Sequence, residues 1–152
     1  MPVSIHVLRC QSVLLPLVLG AALPAYAGLG NDLDTSVAEG QPLSAVTRRP
    51  DGLLSQQIQT PQGPRVTEYA NAQGQVFALT WHGNAPPDLR QLLGVSRFAV
   101  LQSAKTQGGL HAAAQSGQDI EVRVFAAIHQ FSGAAWVPSL LPAGFDPQTL
   151  AP

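Results

Sequence analysis

The chain is 152 residues long and nearly neutral, with eight Lys/Arg, nine Asp/Glu and only 11 % charged residues. This length predicts one domain. The low charge, without any run of basic residues, argues against a nucleic-acid partner and against binding to an anionic lipid surface. The single cysteine, Cys10, excludes an intrachain disulfide and a metal site built from several thiolates.

The first 27 residues have the pattern of a secretory signal. Arg9 precedes the eleven-residue apolar run Val13–Leu23, and the small-x-small tripeptide Ala25–Ala27 follows. A membrane-spanning helix needs about 20 apolar residues, so this run is too short to be one. We therefore expect residues 1–27 to be cleaved, with an uncleaved N-terminal anchor as the alternative.

Export sets the expected compartment and the means of stabilisation. Removal of residues 1–27 from the 152 leaves a chain of 125 residues without Cys10, and therefore without any thiol. We expect a periplasmic or secreted protein that has no membrane association after signal cleavage. Without disulfides, such a domain depends on its hydrophobic core for stability.

The segment 28–50 is polar and irregular in sequence. Ser36 and Glu39 have the spacing of a capping box, in which each side chain satisfies a backbone donor at the start of a helix. Gly40 and Pro42 follow at once, so any helix there is short. The pattern predicts an N-terminal strap over the edge of a sheet.

Residues 51–137 are predicted to form a single α+β domain built on an antiparallel meander. The stretches 53–60, 65–70 and 75–81 alternate between apolar and polar residues, and they are separated by the turn-forming sequences PQGP and NAQG. In the third stretch the large residues Phe77, Leu79 and Trp81 alternate with smaller ones. This spacing predicts that these three face the core together.

A short helix is predicted directly after the meander. Pro87 suits its first position and Asp88 complements the helix dipole, while a leucine stripe runs along residues 89–93 and Gly94 ends the turn. Residues 95–105 fit either more helix or an extended segment. Later strands are predicted near 120–126 and 134–137, and the proline-rich tail 138–152 is predicted to be irregular.

The central block resembles a known family. The stretch EYANAQGQVFALTWHGNAPPDLRQLLG (68–94), with VPSLLP (137–142), is similar to small exported proteobacterial proteins grouped as the domain of unknown function number 2844. The resemblance implies export and a single domain over most of the chain after residue 27. It implies no activity.

The histidines after residue 27 are the candidate metal ligands of this chain. His82, His111 and His129 have none of the spacings of a metal site, and no cysteine assists them, so no metal or other cofactor is expected. The Gly-x-Ser-x-Gly motif of serine hydrolases is absent. No residue is therefore predicted to be catalytic.

Two functional hypotheses remain. The first is a non-enzymatic exported domain that binds an envelope protein, through a strand edge for example. The alternative is a small periplasmic enzyme or ligand carrier with a pocket at the Trp81–Asp88 junction. A structural interpretation competes with both: Trp81 fills the core, Asp88 caps the helix and Arg90 pairs with a nearby acid. Candidate ligand or partner contacts are Tyr69, Trp81, His82, Asp88, Arg90 and Trp136.

Overall fold

The structure is a computed structural model that describes residues 28–33, 41–61, 63–104, 106–108, 112–117 and 119–150. The expected signal at 1–27, the capping box at 36–39 and His111 lie outside the described residues.

The described chain forms one antiparallel sheet with two helices, which confirms the predicted α+β class. The sheet is larger than predicted, with nine strands in the order β1-β3-β4-β5-β9-β8-β7-β6, while β2 also pairs with β3. The strands are β1 Gln41–Pro42, β2 Thr47–Arg48, β3 Leu54–Gln59, β4 Arg65–Ala70, β5 Val76–Gly83, β6 Thr106–Gly108, β7 Ala112–Gly117, β8 Ile120–Ala127 and β9 Gln130–Trp136. Two helices lie between β5 and β6: α1 Leu89–Leu93 and α2 Val95–Ser103.

Two meanders meet at the centre of the sheet. The predicted meander of β3, β4 and β5 is present, and a second one runs from β6 to β9. They join where β5 pairs with β9. The turn between β4 and β5 is fixed by Asn71, whose side chain accepts hydrogen bonds at 3.0 Å from the backbone N–H groups of Gln73 and Gln75.

The helix after β5 begins two residues later than predicted. The Asp88 carboxylate accepts a hydrogen bond from the Gln91 backbone N–H at 3.1 Å, which makes Asp88 the N-cap and leaves Pro87 outside the helix. Gly94, with φ of 78°, separates α1 from α2. The segment 95–105, which had two interpretations, is helical up to Ser103.

The main core lies between the sheet and the two helices. Trp81 is only 1 % exposed there and packs with Leu92 and Leu93, while Leu89 is partly buried against the same cluster. The remaining members come from the N-terminal segment, both meanders, α2 and the residue after β9: Leu29, Ile58, Val66, Leu79, Leu101, Ile120, Val122, Ala135 and Val137. The cluster therefore joins every layer of the domain.

Phe77 departs from the predicted inward face. The pairing of β4 with β5 shifts register between Tyr69 and Ala70, and this bulge interrupts the alternation along β5. Leu79 and Trp81 reach the main core as predicted, whereas Phe77 belongs to a second cluster with Trp136. The prediction that Phe77 faces the core with them was wrong, because it assumed an unbroken strand.

The C-terminal segment covers that second cluster. It forms two 3-10 turns, Pro138–Leu140 and Pro147–Thr149, without longer regular structure. Phe145 meets Phe77 edge-to-face, with ring centroids 4.9 Å apart, and Leu150 is buried beside them. The predicted irregular tail is therefore a packed part of the fold as far as residue 150.

Two N-terminal segments are also part of the domain. Leu29 is buried in the main core, and the Gly30 N–H donates to the Val76 carbonyl oxygen at 2.8 Å. Further along, residues 41–48 cover the outer edge of β3. There the Leu43 N–H donates to the Gln57 carbonyl oxygen at 2.8 Å, and the Gln57 N–H donates to Ser44 Oγ at 3.1 Å.

Candidate ligand-binding groove

The two faces of the sheet differ in character. One face is covered by α1 and α2, while the other presents polar side chains where β3, β4 and β5 lie together. Cross-strand register aligns these side chains into rows, since residues that pair across strands point to the same face. One row is Gln57, Thr67 and Thr80, and the next is Gln59, Arg65 and His82.

A groove of about 400 Å³ lies over these rows. Its volume falls in the usual range for small-molecule sites, roughly 300–1,000 Å³. Gln57, Arg65 and His82 are exposed along it, so the groove opens to solvent. Its lining comes from all three strands and the turn before β4: Gln57, Gln59, Gly63, Arg65, Thr67, Tyr69, Thr80, Trp81 and His82.

The only firm charge among these lining residues is a cation. No aspartate or glutamate lines the groove. Within the described part of the chain, the Arg65 guanidinium has no hydrogen-bond or ion-pair partner, and the one ion pair found there joins Arg49 to Asp51 at 3.3 Å. The groove thus offers a free guanidinium among neutral polar groups.

One aromatic side chain, Tyr69, lies at the end of the groove, and Trp136 lies two strands away from it. Tyr69 and Trp136 both pair with Ala78, from opposite sides of β5. Each carries an arginine over its ring, with Arg49 5.4 Å from the Tyr69 centroid and Arg123 4.7 Å from that of Trp136. Tyr69 is half-buried and lines the groove, whereas Trp136 is 2 % exposed and is not among the lining residues.

The structure brings together two of the six candidate residues in this groove, Tyr69 and His82, with Trp81 contributing to its wall. The Trp81 indole belongs to the main core, as the structural interpretation held. Its Nε1 has no hydrogen-bond partner among the described residues. Trp136 lies on the same sheet face but beneath the C-terminal segment.

Asp88 and Arg90 line a different cavity of about 550 Å³, with Gln91 and Val95. The Asp88 carboxylate caps α1, in agreement with the structural interpretation. The expected ion pair of Arg90 with a nearby acid is not found among the described residues. The His82 imidazole and the Asp88 carboxylate thus belong to two separate hollows.

Sequence reasoning missed most of the groove. Gln57, Gln59, Arg65, Thr67 and Thr80 occupy the polar positions of predicted strands, where any exposed sheet face has such residues. The pairing register of β3 with β4 could have predicted this row. It places Gln59 opposite Arg65, and therefore Gln57 opposite Thr67.

The described residues contain no cluster of three or more His, Cys, Asp or Glu side chains able to hold a metal ion. No helix within them is long and apolar enough to cross a membrane.

Comparison with known proteins places the chain in a family. Searches of curated proteins and of solved structures found no match. The family model described as "Protein of unknown function (DUF2844)" matches residues 25–150. That range includes both meanders, both helices and the packed C-terminal segment, so the chain belongs to the DUF2844 family.

Proposed function

We propose that this protein is an exported, non-enzymatic binding domain of the cell envelope, and that the groove on β3, β4 and β5 is its ligand site. The observation that carries the proposal is the free guanidinium of Arg65 in an open groove of neutral polar side chains. Small-molecule sites are usually concave and carry a few convergent polar groups, as this groove does.

Export is supported by the sequence and by where the fold starts to pack. Residues 1–27 carry the signal pattern, and Leu29, two residues after the expected cleavage point, is buried in the main core. The chain from Gly28 onward therefore contributes to the folded domain, which fits cleavage after Ala27. Mass spectrometry of the exported product tests this: we expect a chain that begins at Gly28.

A protein partner in the envelope is a second candidate, favoured by one edge of the sheet. β6 is an edge strand, and all three of its residues are exposed. An exposed edge strand can accept a strand from another chain through backbone hydrogen bonds. At the other edge of the sheet, the outer side of β3 is already covered by residues 41–48. Strand addition is therefore proposed at β6.

Mapping by NMR distinguishes these two surfaces. The isotopically labelled protein is titrated with a concentrated periplasmic extract that retains its small molecules, and the backbone amide shifts are followed. For the proposed groove function, we expect changes concentrated at Gln57, Thr67 and Thr80. Changes confined to Thr106–Gly108 would favour strand addition, and an absence of change at both surfaces would contradict the binding function.

A further inference from the structure

We infer that the groove recognises an oligosaccharide that carries a carboxylate group. This inference rests on the proposed binding function and specifies the chemistry of its ligand. Three features of the groove lead to it: its neutral hydrogen-bonding side chains, its single free cation and its aromatic end.

Neutral side chains that both donate and accept hydrogen bonds form the floor. The amides of Gln57 and Gln59 and the hydroxyls of Thr67 and Thr80 each offer donor and acceptor capacity. Part of it is used internally, since Gln59 Nε2 donates to the Gly63 carbonyl oxygen. Sugar hydroxyls also donate and accept, so they match such a surface better than an apolar ligand does. A site built for hydroxyl groups also discriminates strongly against ligands that lack them.

The Arg65 guanidinium favours a negatively charged ligand. Arg65 lies in the row between Gln59 and His82. A guanidinium matches a carboxylate through two parallel N–H···O hydrogen bonds, and this geometry adds specificity to charge. With no acidic residue in the lining, the groove attracts an anion and disfavours a cationic ligand.

The nearest acid in the sequence does not oppose this charge. Glu68 lies between Thr67 and Tyr69, so strand alternation directs its side chain to the opposite face of the sheet. It is fully buried there. Arg65 therefore sets the charge of the groove, with no acid on the same face of β4.

Tyr69 provides the third feature, a flat apolar surface with a polar tip. Its ring is half-buried at the end of the groove, and Arg49 lies over it. Because Arg49 already covers one face of this ring, the C–H groups of a sugar would pack against the rest of the aromatic surface. The width from β3 to β5 covers two strand spacings, roughly 10 Å, which suits an oligosaccharide better than a single small ion.

The test measures binding by calorimetry with the protein produced from the full 152-residue chain. The probes are trigalacturonate, its fully methyl-esterified form, and inorganic phosphate. We expect trigalacturonate to bind, and the neutral ester to bind about tenfold more weakly, because it lacks the charge-assisted bonds to Arg65. Phosphate is expected to bind far more weakly than trigalacturonate. Equal affinity for acid and ester, or phosphate binding as tight as trigalacturonate, would overturn the inference.

Two arginine variants locate the site. R65Q is expected to lose about tenfold in affinity for trigalacturonate and to stop distinguishing the acid from the ester. The matched control is R90Q, which removes an exposed arginine outside the groove and is expected to bind as the wild type does. Thermal unfolding of both variants checks that they fold. A folded R65Q with undiminished affinity would contradict the assignment.

These experiments distinguish a wrong ligand class from a groove that binds no ligand. If none of the three probes binds but groove amides respond to the periplasmic extract, the oligosaccharide is excluded and the binding function stands. If the groove responds to neither probes nor extract, both are excluded.

Discussion

Trp81 on β5 lies directly opposite Gly133 on β9, and its indole ring occupies the space that a side chain at position 133 would need. An added Cβ at Gly133 would also collide with the carbonyl oxygen of Arg123 on β8. This contact fixes the tryptophan at the seam between the two meanders. Trp81 is therefore part of the scaffold that holds β5 against β9.

The first prediction concerns that seam. G133A is expected to lower the free energy of unfolding by about 1–3 kcal/mol, because overpacking forces neighbouring groups out of their preferred positions. The control is S132A, which trims a half-buried residue next to it. Urea denaturation measures both. A G133A protein as stable as S132A would show that the ring is free to move aside.

The second prediction concerns the N-terminal segment. L29A is expected to cost about 2–5 kcal/mol, the usual range for truncating a buried leucine. L43A, at a leucine that is 46 % exposed, is the matched control and is expected to change stability far less. Chemical denaturation of both compares them. If L29A and L43A were equally mild, residues 28–33 would not contribute to the core.

The third prediction concerns the C-terminal segment. F145A is expected to lower stability by about 1–3 kcal/mol, because it removes the edge-to-face contact with Phe77 from a partly exposed site. F125A is the control, since Phe125 is 43 % exposed and lies outside both clusters. Thermal unfolding would reveal the difference. Equal transition temperatures for F145A and F125A would argue that the segment does not stabilise the domain.

The fourth prediction concerns acid. Hydrogen bonds from the Ser139 hydroxyl and backbone N–H, at 2.7 and 3.0 Å, hold the pKa of the Asp119 carboxyl below its ordinary value. A carboxyl with a lowered folded-state pKa stabilises the fold above its unfolded-state pKa. That contribution is lost as pH falls through the folded value. We expect the S139A variant to lose part of this stabilisation at neutral pH and to show a smaller decline in stability below about pH 4.

The measurement is the free energy of unfolding of wild type and S139A across that pH interval. D119N is the partner variant: it removes the titrating group, while asparagine still tolerates the left-handed backbone at this position, where φ is 56°. Parallel pH profiles for wild type and both variants would rule out the linkage.

Local patterns were sufficient for part of the fold. The alternation at 53–60, 65–70 and 75–81 predicted three strands, and the carboxylate of Asp88 before the leucine stripe indicated a helix start. These features depend on residues close together in the chain. The first helical residue differed, because the Asp88 carboxylate caps α1 through the Gln91 N–H and leaves Pro87 outside the helix.

Long-range pairing explains what the sequence did not show. The bulge that redirects Phe77 arises from the register between β4 and β5, and the pairing of β5 with β9 joins segments about fifty residues apart. The groove has the same origin. Arg65 and His82 become neighbours only when β4 pairs with β5, and before that pairing each resembles an ordinary solvent-facing residue.

The covering of β3 by residues 41–48 also limits how copies of this protein can associate. β1 and β2 are two residues each and are separated by residues 43–46, so among the described strands they make a poor template for another chain. Within the part of the chain that the structure describes, β6 is then the one favourable edge. If two copies paired through β6 about a twofold axis, the β6 edge of each copy would be occupied by the other. Strand pairing would then stop at a dimer, and no fibre would form.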